Sequence, residues 1–577
     1  MKPNIRWQLL LAAGCLGLVL AFLSFREEKV VISAEEGAGQ VIEVSGACTT
    51  RVPAAGWTLV EGVIGRPQYI NPLLAEANPV DQMLSDLMFD GLTRYDESGR
   101  LVPALAQSWN FSEDGRHVSF SLRPDVTWHD GEPFTAEDVA YSYGLLQDEN
   151  FPAAGGVKML WESVAMTVTG ELSVEFQLPQ PYGPFLDATT QGILPAHLLE
   201  GTSPGTLLNA SFNRMPVGTG PFLIEPGSDW QESGVLRLQS NPAYWQQNLY
   251  LETLEFRFFP NAPALAEAFE AGEIQAISTI PAEDLPELIT TPGLGIYSSG
   301  GRQYTQLLFN QTGTGASTGS AGASAVRDAR VRKALAFALD KAALIDQAIG
   351  GQGLPLEGPY LPTSWAYNEA LLTRYTYQPA TAASLFAEAG WTVPEGAFTR
   401  QQGGDPLSLT LLTSDDATHR ALADLIAVQW ANVGVETEIE TVRPVSLTAV
   451  LAERAYDVAI IEVTPPGDPD LYDFWSQEAI IRGQNYGGWN NRRASEALEF
   501  ARQLNTQDER LPYYEAFLRF YDTDLPALTL YQPVVTYGLA EEIEGADVGR
   551  FSSPRERYDT LAGWFVAYEE MAIPCPE

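Results

Sequence analysis

The chain of 577 residues carries 74 acidic against 34 basic side chains, a formal charge of -40. So acidic a composition nearly excludes nucleic acid as a partner, because binding phosphates requires clustered lysine and arginine. Four histidines scattered at His117, His129, His197 and His419 offer no metal-ligand spacing, so no metal and no cofactor is expected. The acidity reads as solubility outside the cell, with steering of a cationic ligand as the sharper alternative.

Residues Trp7 to Phe25 contain no charge, with Lys2 and Arg6 before them and Arg26, Glu27, Glu28 and Lys29 after. As a helix this run reaches about 28 Å, close to the ~30 Å hydrocarbon core, and the basic residues on its N-terminal side place the bulk of the chain outside. An uncleaved anchor over residues 7–25 is the favoured reading of a signal or anchor segment at 1–29. Ordinary cleavage near Ala34, and lipidation at Cys15 in Leu11-Ala-Ala-Gly-Cys15, are the alternatives. Beyond the anchor only Cys48 and Cys575 remain, one near each end of the exported chain. A disulfide between them is plausible in an oxidising compartment, and two free thiols are the alternative.

Residues 30–56 are small, polar and Gly-rich, a linker. Order begins at Trp57, with a strand over Trp57–Ile64, a loop Tyr69-Ile-Asn71-Pro-Leu73 and a helical face carrying Leu84, Leu87 and Met88. Val118 to Leu122 alternates as a half-buried strand between the turn dipeptides Asp114-Gly115 and Asp130-Gly131. Thr135 with Asp138 three residues later predicts a capped helix burying Val139, Tyr143 and Leu146. Strands are predicted at Ser173–Leu178, Leu254–Phe258 and Leu307–Asn310. A short helix is expected near Ile193–Leu199, with His197 on its surface, and a longer one over Ala262–Ala271. Gly313 to Ser324 reads as a flexible surface insertion. Its Gly315-Ala-Ser-Thr-Gly319 matches a nucleophile-elbow pattern only in letters, since a flexible tract holds neither a strained turn nor a placed histidine. One helix is predicted over Ala329–Ile349, with Val331, Leu335, Leu339 and Leu344 inward and Arg330, Arg332 and Lys333 solvated. A strand at Leu407–Leu412, a helix over Ala421–Val433 and a strand at Val435–Ile439 form a βαβ unit. A buried strand Asp457–Ile461, a helix Arg510–Tyr521 and a strand Pro526–Tyr531 follow.

Phe89-Asp-Gly-Leu-Thr-Arg-Tyr95, Pro103-Ala-Leu-Ala-Gln-Ser-Trp109, Phe134-Thr-Ala-Glu-Asp-Val139, Val217-Gly-Thr-Gly-Pro-Phe222 and Asn241-Pro-Ala-Tyr-Trp245 occur in that order. Ala329 to Asp340, Leu385 to Trp391, Tyr456-Asp457 and Asp468-Pro469 continue the series. Together these blocks resemble the oligopeptide, dipeptide and nickel-binding family of extracytoplasmic solute-binding proteins that serve ABC importers. The resemblance implies an α/β, two-lobed periplasmic-binding-protein-like fold with an extra β-rich subdomain. The expected division is lobe 1 over 57–305 with the subdomain at about 100–215, lobe 2 over 306–525, and a return to lobe 1 over 526–577. It also implies a monomer outside the cytoplasm that closes on a small solute, most simply a peptide, and hands it to a membrane ABC permease.

The expected binding residues are Tyr69 and Asn71 in the loop that lies near the cleft in this family, and the run after the buried strand: Glu462, Pro465, Tyr472, Trp475, Asn485 and Trp489. Ligands of open α/β sheets bind outside the carboxyl ends of strands, and this run follows directly from one. In the family's peptide binders a carboxylate holding the ligand's ammonium lies four positions before the proline of the Asp-Pro pair. Here that position is Pro465. Burying an ammonium without a counter-charge costs several kcal/mol, so either Glu462 substitutes or the ligand is not a free peptide N-terminus. Tyr472, Trp475 and Trp489 offer rings for stacking, which would suit an oligosaccharide, against ordinary core packing as the plain reading. An exported enzyme is the remote alternative, and no triad, zinc spacing or phosphate loop supports it.

Overall fold

The computed structural model describes residues 47–96, 99–151, 160–246, 249–282, 284–313, 321–546, 548, 556–558 and 560–574. The apolar run 7–25, Cys15, most of the linker, the Gly315–Gly319 tract and Cys575 lie outside them. Among the described residues no helix is long and apolar enough to cross a membrane. The chain divides into two units, Met1–Arg51 with Glu570–Glu577, and Val52–Glu569. The strands Ala47–Pro53 and Tyr568–Pro574, which fall mainly in the first unit, pair as a two-stranded sheet.

The larger unit is organised on a 12-stranded mixed sheet. Its strands are β1 (Trp57–Ile64), β2 (Phe222–Ile224), β3 (Val235–Ser240), β4 (Leu251–Phe259), β5 (Ala276–Ile277) and β6 (Leu294–Gly300). They continue with β7 (Tyr304–Phe309), β8 (Gly353–Pro355), β9 (Ser408–Ser414), β10 (Glu436–Val442), β11 (Val458–Val463) and β12 (Ala527–Ala540). The order is β10-β9-β11-β7-β12-β5-β1-β4-β3-β2, with β6 and β8 also paired to β12. At 14 residues β12 is far longer than the usual ~5–6. Its first part pairs with β7 and β8 (Leu308↔Ala527, Gly353↔Pro533) and its second with β6 and β5 (Gly300↔Val534, Ala276↔Leu539). Burial falls to intermediate at Pro533, Val534 and Val535, where the strand passes from one half of the sheet to the other.

Each half carries its own apolar cores. In the first, Leu59, Val63, Leu254 and Phe256 pack with the neighbouring β-rich segment on one face, and Leu265, Phe269 and Ile277 form the other. In the second, Leu307, Leu409, Leu411 and Ile460 bury one face, and Tyr304, Leu308, Ile461 and Val463 the other. The predicted βαβ unit is present: β9 and β10 run parallel in register Ser408↔Glu436 to Ser414↔Val442, joined by the helix Ala417–Ala431. Ser408 to Ser414 carries no charged residue and is buried over most of its length, which is what a strand inside a helix-covered parallel sheet demands.

The β-rich unit is a four-stranded antiparallel sheet in the order Ala106–Phe111, His117–Leu122, Ser173–Gln177 and Ala165–Gly170, covered by the helix Ala136–Gln147. The capping box acts as foreseen and does more. The Asp138 carboxylate accepts from the Thr135 amide at 2.9 Å, from Trp128 Nε1 at 3.3 Å and from the Ala196 amide at 2.9 Å, tying three segments at one helix start. Val139, Tyr143 and Leu146 are buried, with Tyr143 stacked on Trp161 at 4.0 Å. His197 bonds Asp130 at 2.9 Å from its short helix.

Four expectations need correction, the first being that order begins at Trp57, since the strand Ala47–Pro53 precedes it within the expected linker. The helix over Ala329–Ile349 is two helices, Ala329–Phe337 and Lys341–Ile349, because Asp340 caps the second by accepting from the Ala343 amide at 3.1 Å. Arg332 is buried at 2 % exposure instead of solvated. Its guanidinium donates to the carbonyls of Val326, Arg327, Asp524 and Leu525, which otherwise lack helix partners. Of the glycine-rich insertion, Ala321–Ala325 is helical and 314–320 lie outside the described residues.

Candidate functional site

The carboxyl ends of the parallel strands β9 and β11 bring together the first turn of the helix Ala417–Ala431 and the run that leaves β11 at Val463. Glu462 is the last outward-facing residue of β11, opposite Thr305 on β7, with 48 % of its side chain exposed. Its Oε1 lies 3.9 Å from His419 Nε2, while His419 Nδ1 is 2.9 Å from Asp416. Burial pushes the Asp416 carboxyl up, but the His419 amide, the His419 ring and Ser414 outweigh it and hold the group below its ordinary value. Glu462 is thus an accessible carboxylate at the carboxyl end of a central strand.

From Val463 the chain crosses to the other half of the sheet through Thr464-Pro-Pro-Gly467, with Pro465 half-buried. At Gly467 the approach is so close that a β-carbon would stand 2.7 Å from Tyr95 Oη and 2.8 Å from Asp187 Oδ1, both on the first half. Tyr95 donates a short hydrogen bond to Asp187. Burial first, then the neighbouring Asp468 charge, pushes the Asp187 carboxyl up to about 6, against the pull of Tyr95, Arg302 and Arg510. The two acids that follow are anchored inside the second half. Arg510 grips Asp468 with both terminal nitrogens at 2.6 and 2.5 Å, and Arg502 donates to Asp470 at 2.6 and 3.1 Å. Burial works against the Arg510 charge, yet Asp468 more than restores it and keeps the guanidinium protonated.

The structure scatters the residues predicted from sequence. Glu462 stands at the carboxyl end of β11, and Pro465 lies in the run that leaves it. Tyr472 is half-buried beneath Arg502, whose guanidinium carbon sits 4.1 Å from the ring centre, and its hydroxyl donates to Glu478 at 3.2 Å. Trp475 and Trp489 have 3 % and 2 % exposure and meet each other and Tyr521 edge-on at 6.0, 5.2 and 6.1 Å. These two indoles therefore fill a core and present no face for stacking a ligand. Asn485 is buried, donating to the carbonyls of Ser476 and Trp489 and accepting from the Trp489 amide, so it shapes the backbone of its own loop. Asn71 is fully buried against Asn213 at 2.9 Å, and Tyr69 is half-buried with its amide bonded to Asp81. Sequence reading missed Tyr95, Tyr182, Asp187, Arg502 and Arg510. Only the pair Asp468 and Asp470 hinted at them, since two acids flanking a buried proline need cations close by.

Among the described residues no group of three or more histidine, cysteine or acidic side chains could hold a metal ion. The family described as bacterial extracellular solute-binding proteins, family 5, middle region, matches residues 100–479. The oligopeptide-binding protein AppA of Bacillus subtilis is 26% identical over 522 residues, 89% of this chain and 92% of that protein. Heme-binding protein A of Haemophilus influenzae is 26% identical over 442 residues, 72% and 76% of the two chains. The structure of NikZ from Campylobacter jejuni in complex with Ni(L-His) matches with TM-score 0.66 and 25% identity over 88% of this chain and 99% of that one. Since the family match runs over more than half of its length, the chain belongs to family 5 of the bacterial extracellular solute-binding proteins.

Proposed function

We propose that the chain is the substrate-binding component of an ABC importer that captures a peptide-like solute between two lobes and presents it to a membrane permease. The observation that carries the reading is the run Glu462 to Gly467, which leaves the carboxyl end of a central strand and meets the opposite half of the sheet. A solute entering along it passes an exposed carboxylate at Glu462 and a half-buried proline at position 465, where the family's peptide binders place a counter-charge. A cationic group held by Glu462 fits this run. An oligosaccharide is the weaker reading, because its best stacking rings, Trp475 and Trp489, are committed to the core. Anchoring through residues 7–25 and a monomeric state complete the proposal.

Gentle purification followed by native mass spectrometry tests it. A retained peptide or other small cation is expected; a protein that carries only sugar, or turns over a test panel of substrates, would overturn the assignment.

A further inference from the structure

Besides the contact at Gly467, the two halves touch where the segment after the four-stranded β-rich sheet meets the end of the helix Arg492–Arg502. The Gly183 amide donates to the Arg502 carbonyl at 2.7 Å. A β-carbon on Gly183 would stand 2.0 Å from the Leu504 carbonyl oxygen, so only glycine permits this approach. The Arg502 guanidinium lies over two rings, Tyr182 from the first half at 5.2 Å and Tyr472 from its own half at 4.1 Å, while Asp470 fixes it in place. One arginine thus engages the opposite half through its carbonyl and its side chain together.

We infer that Tyr182, Gly183 and Arg502 form a clasp, acting with the contact of Gly467 on Tyr95 and Asp187, that sets the closing equilibrium of the two lobes independently of the solute. This rests on the lobe closure proposed above. The clasp contacts join protein to protein, so they favour closure whatever occupies the cleft. A cation held over two aromatic rings is attracted by both, the more strongly once partly desolvated, which is enough to bias an equilibrium between conformers of similar free energy. The clasp residues therefore tune affinity and release without touching the solute, since solute bound to a protein that closes less readily is held less tightly.

The Gly183 amide reports the clasp directly, because its described acceptor lies on the other half. Hydrogen exchange is measured at residue 183 in the dialysed full-length protein, with nothing added, for the wild type, Gly183→Ala and Gly467→Ala. Neither glycine has a positive φ, so both variants remain compatible with an ordinary backbone, and an unchanged melting temperature checks their fold. The amide should exchange roughly tenfold faster in both variants, reflecting a smaller clasped population. Equal rates in wild type and Gly183→Ala overturn the clasp. Acceleration in Gly183→Ala alone leaves the clasp standing and overturns closure of the lobes as coupled bodies. A third variant, Tyr182→Leu, leaves the Arg502–Asp470 pair intact and should give an intermediate rate.

Discussion

At the level of single residues, charge decides most of what is distinctive. Asp468 and Asp470 are buried beside prolines yet paired with Arg510 and Arg502, so each acid is fixed and unavailable to a solute. Glu462 is the contrary case, exposed, with His419 at 3.9 Å as its ion-pair neighbour among the described residues. If it supplies the counter-charge for a cationic solute, Glu462→Gln should weaken binding by a few kcal/mol, because the solute keeps its desolvation cost and loses its partner. Calorimetry with the cation recovered from the native protein measures this, and an unchanged affinity would remove Glu462 from the site. Trp489→Ala should instead lower stability by about 3–5 kcal/mol, as expected for emptying an aromatic site in a core, with its Nε1 bond to Asp524 lost as well. A thermal or denaturant melt of the variant checks it; a large loss of affinity with unchanged melting would return the indole to the binding surface.

At the level of elements, the loop Thr464–Asp468 and the segment Tyr182–Asp187 are pressed together across the sheet's two halves, and a carboxyl is caught between them. The Asp187 group faces Tyr95 on its own half and Asp468, Arg302 and Arg510 from the elements packed against it. Its carboxyl is pushed up to about 6 in this arrangement by burial and then by Asp468, against an ordinary value of about 3.9 when solvated. A raised acid binds its proton more tightly in the closed form, so the help it gives to closure is full below the ordinary value. That help is lost as pH rises through about 6. Protection of the Gly183 amide, corrected for the intrinsic exchange rate, should therefore fall between about pH 4 and pH 6.5, and Asp187→Asn should flatten the profile. A wild-type profile that is already flat would show that the carboxyl stays equally buried when the lobes part.

At the level of the whole molecule, the chain's two ends are brought into one small sheet by the pairing of Ala47–Pro53 with Tyr568–Pro574, and Ala54 donates to Ala567 at 2.8 Å just beyond them. Cys48 belongs to the first of these strands, and Cys575, outside the described residues, follows the end of the second. We propose a bridge between these two thiols on the ground that a strand near one end of the chain pairs with a strand near the other. Closing so long a loop contributes at most about 6 kcal/mol in the chain-entropy account. Thiol titration of the unfolded, unreduced protein should find neither group free; two free thiols would exclude the bridge.

The sequence by itself determined the elements whose signals are local. Trp57–Ile64 read as a strand and is one, alternation over Val118–Leu122 marked the strand His117–Leu122, Thr135 with Asp138 marked a helix start, and the strand–helix–strand period marked the parallel pair β9 and β10. That Glu462 stands at the end of a strand was legible for the same reason, since a strand's carboxyl end is a local feature. Only the tertiary structure decided the rest. Whether Trp475 and Trp489 faced a cleft or a core depended on Tyr521, over 30 positions away in the chain, and no local pattern separates the two. Arg332 looked solvated by helical period alone, because the carbonyls that bury it come from Asp524 and Leu525. The clasp was invisible for the strongest reason: it joins Tyr182 and Gly183 to Arg502 across two separately built cores, and a glycine needed for close approach reads in sequence like any other turn.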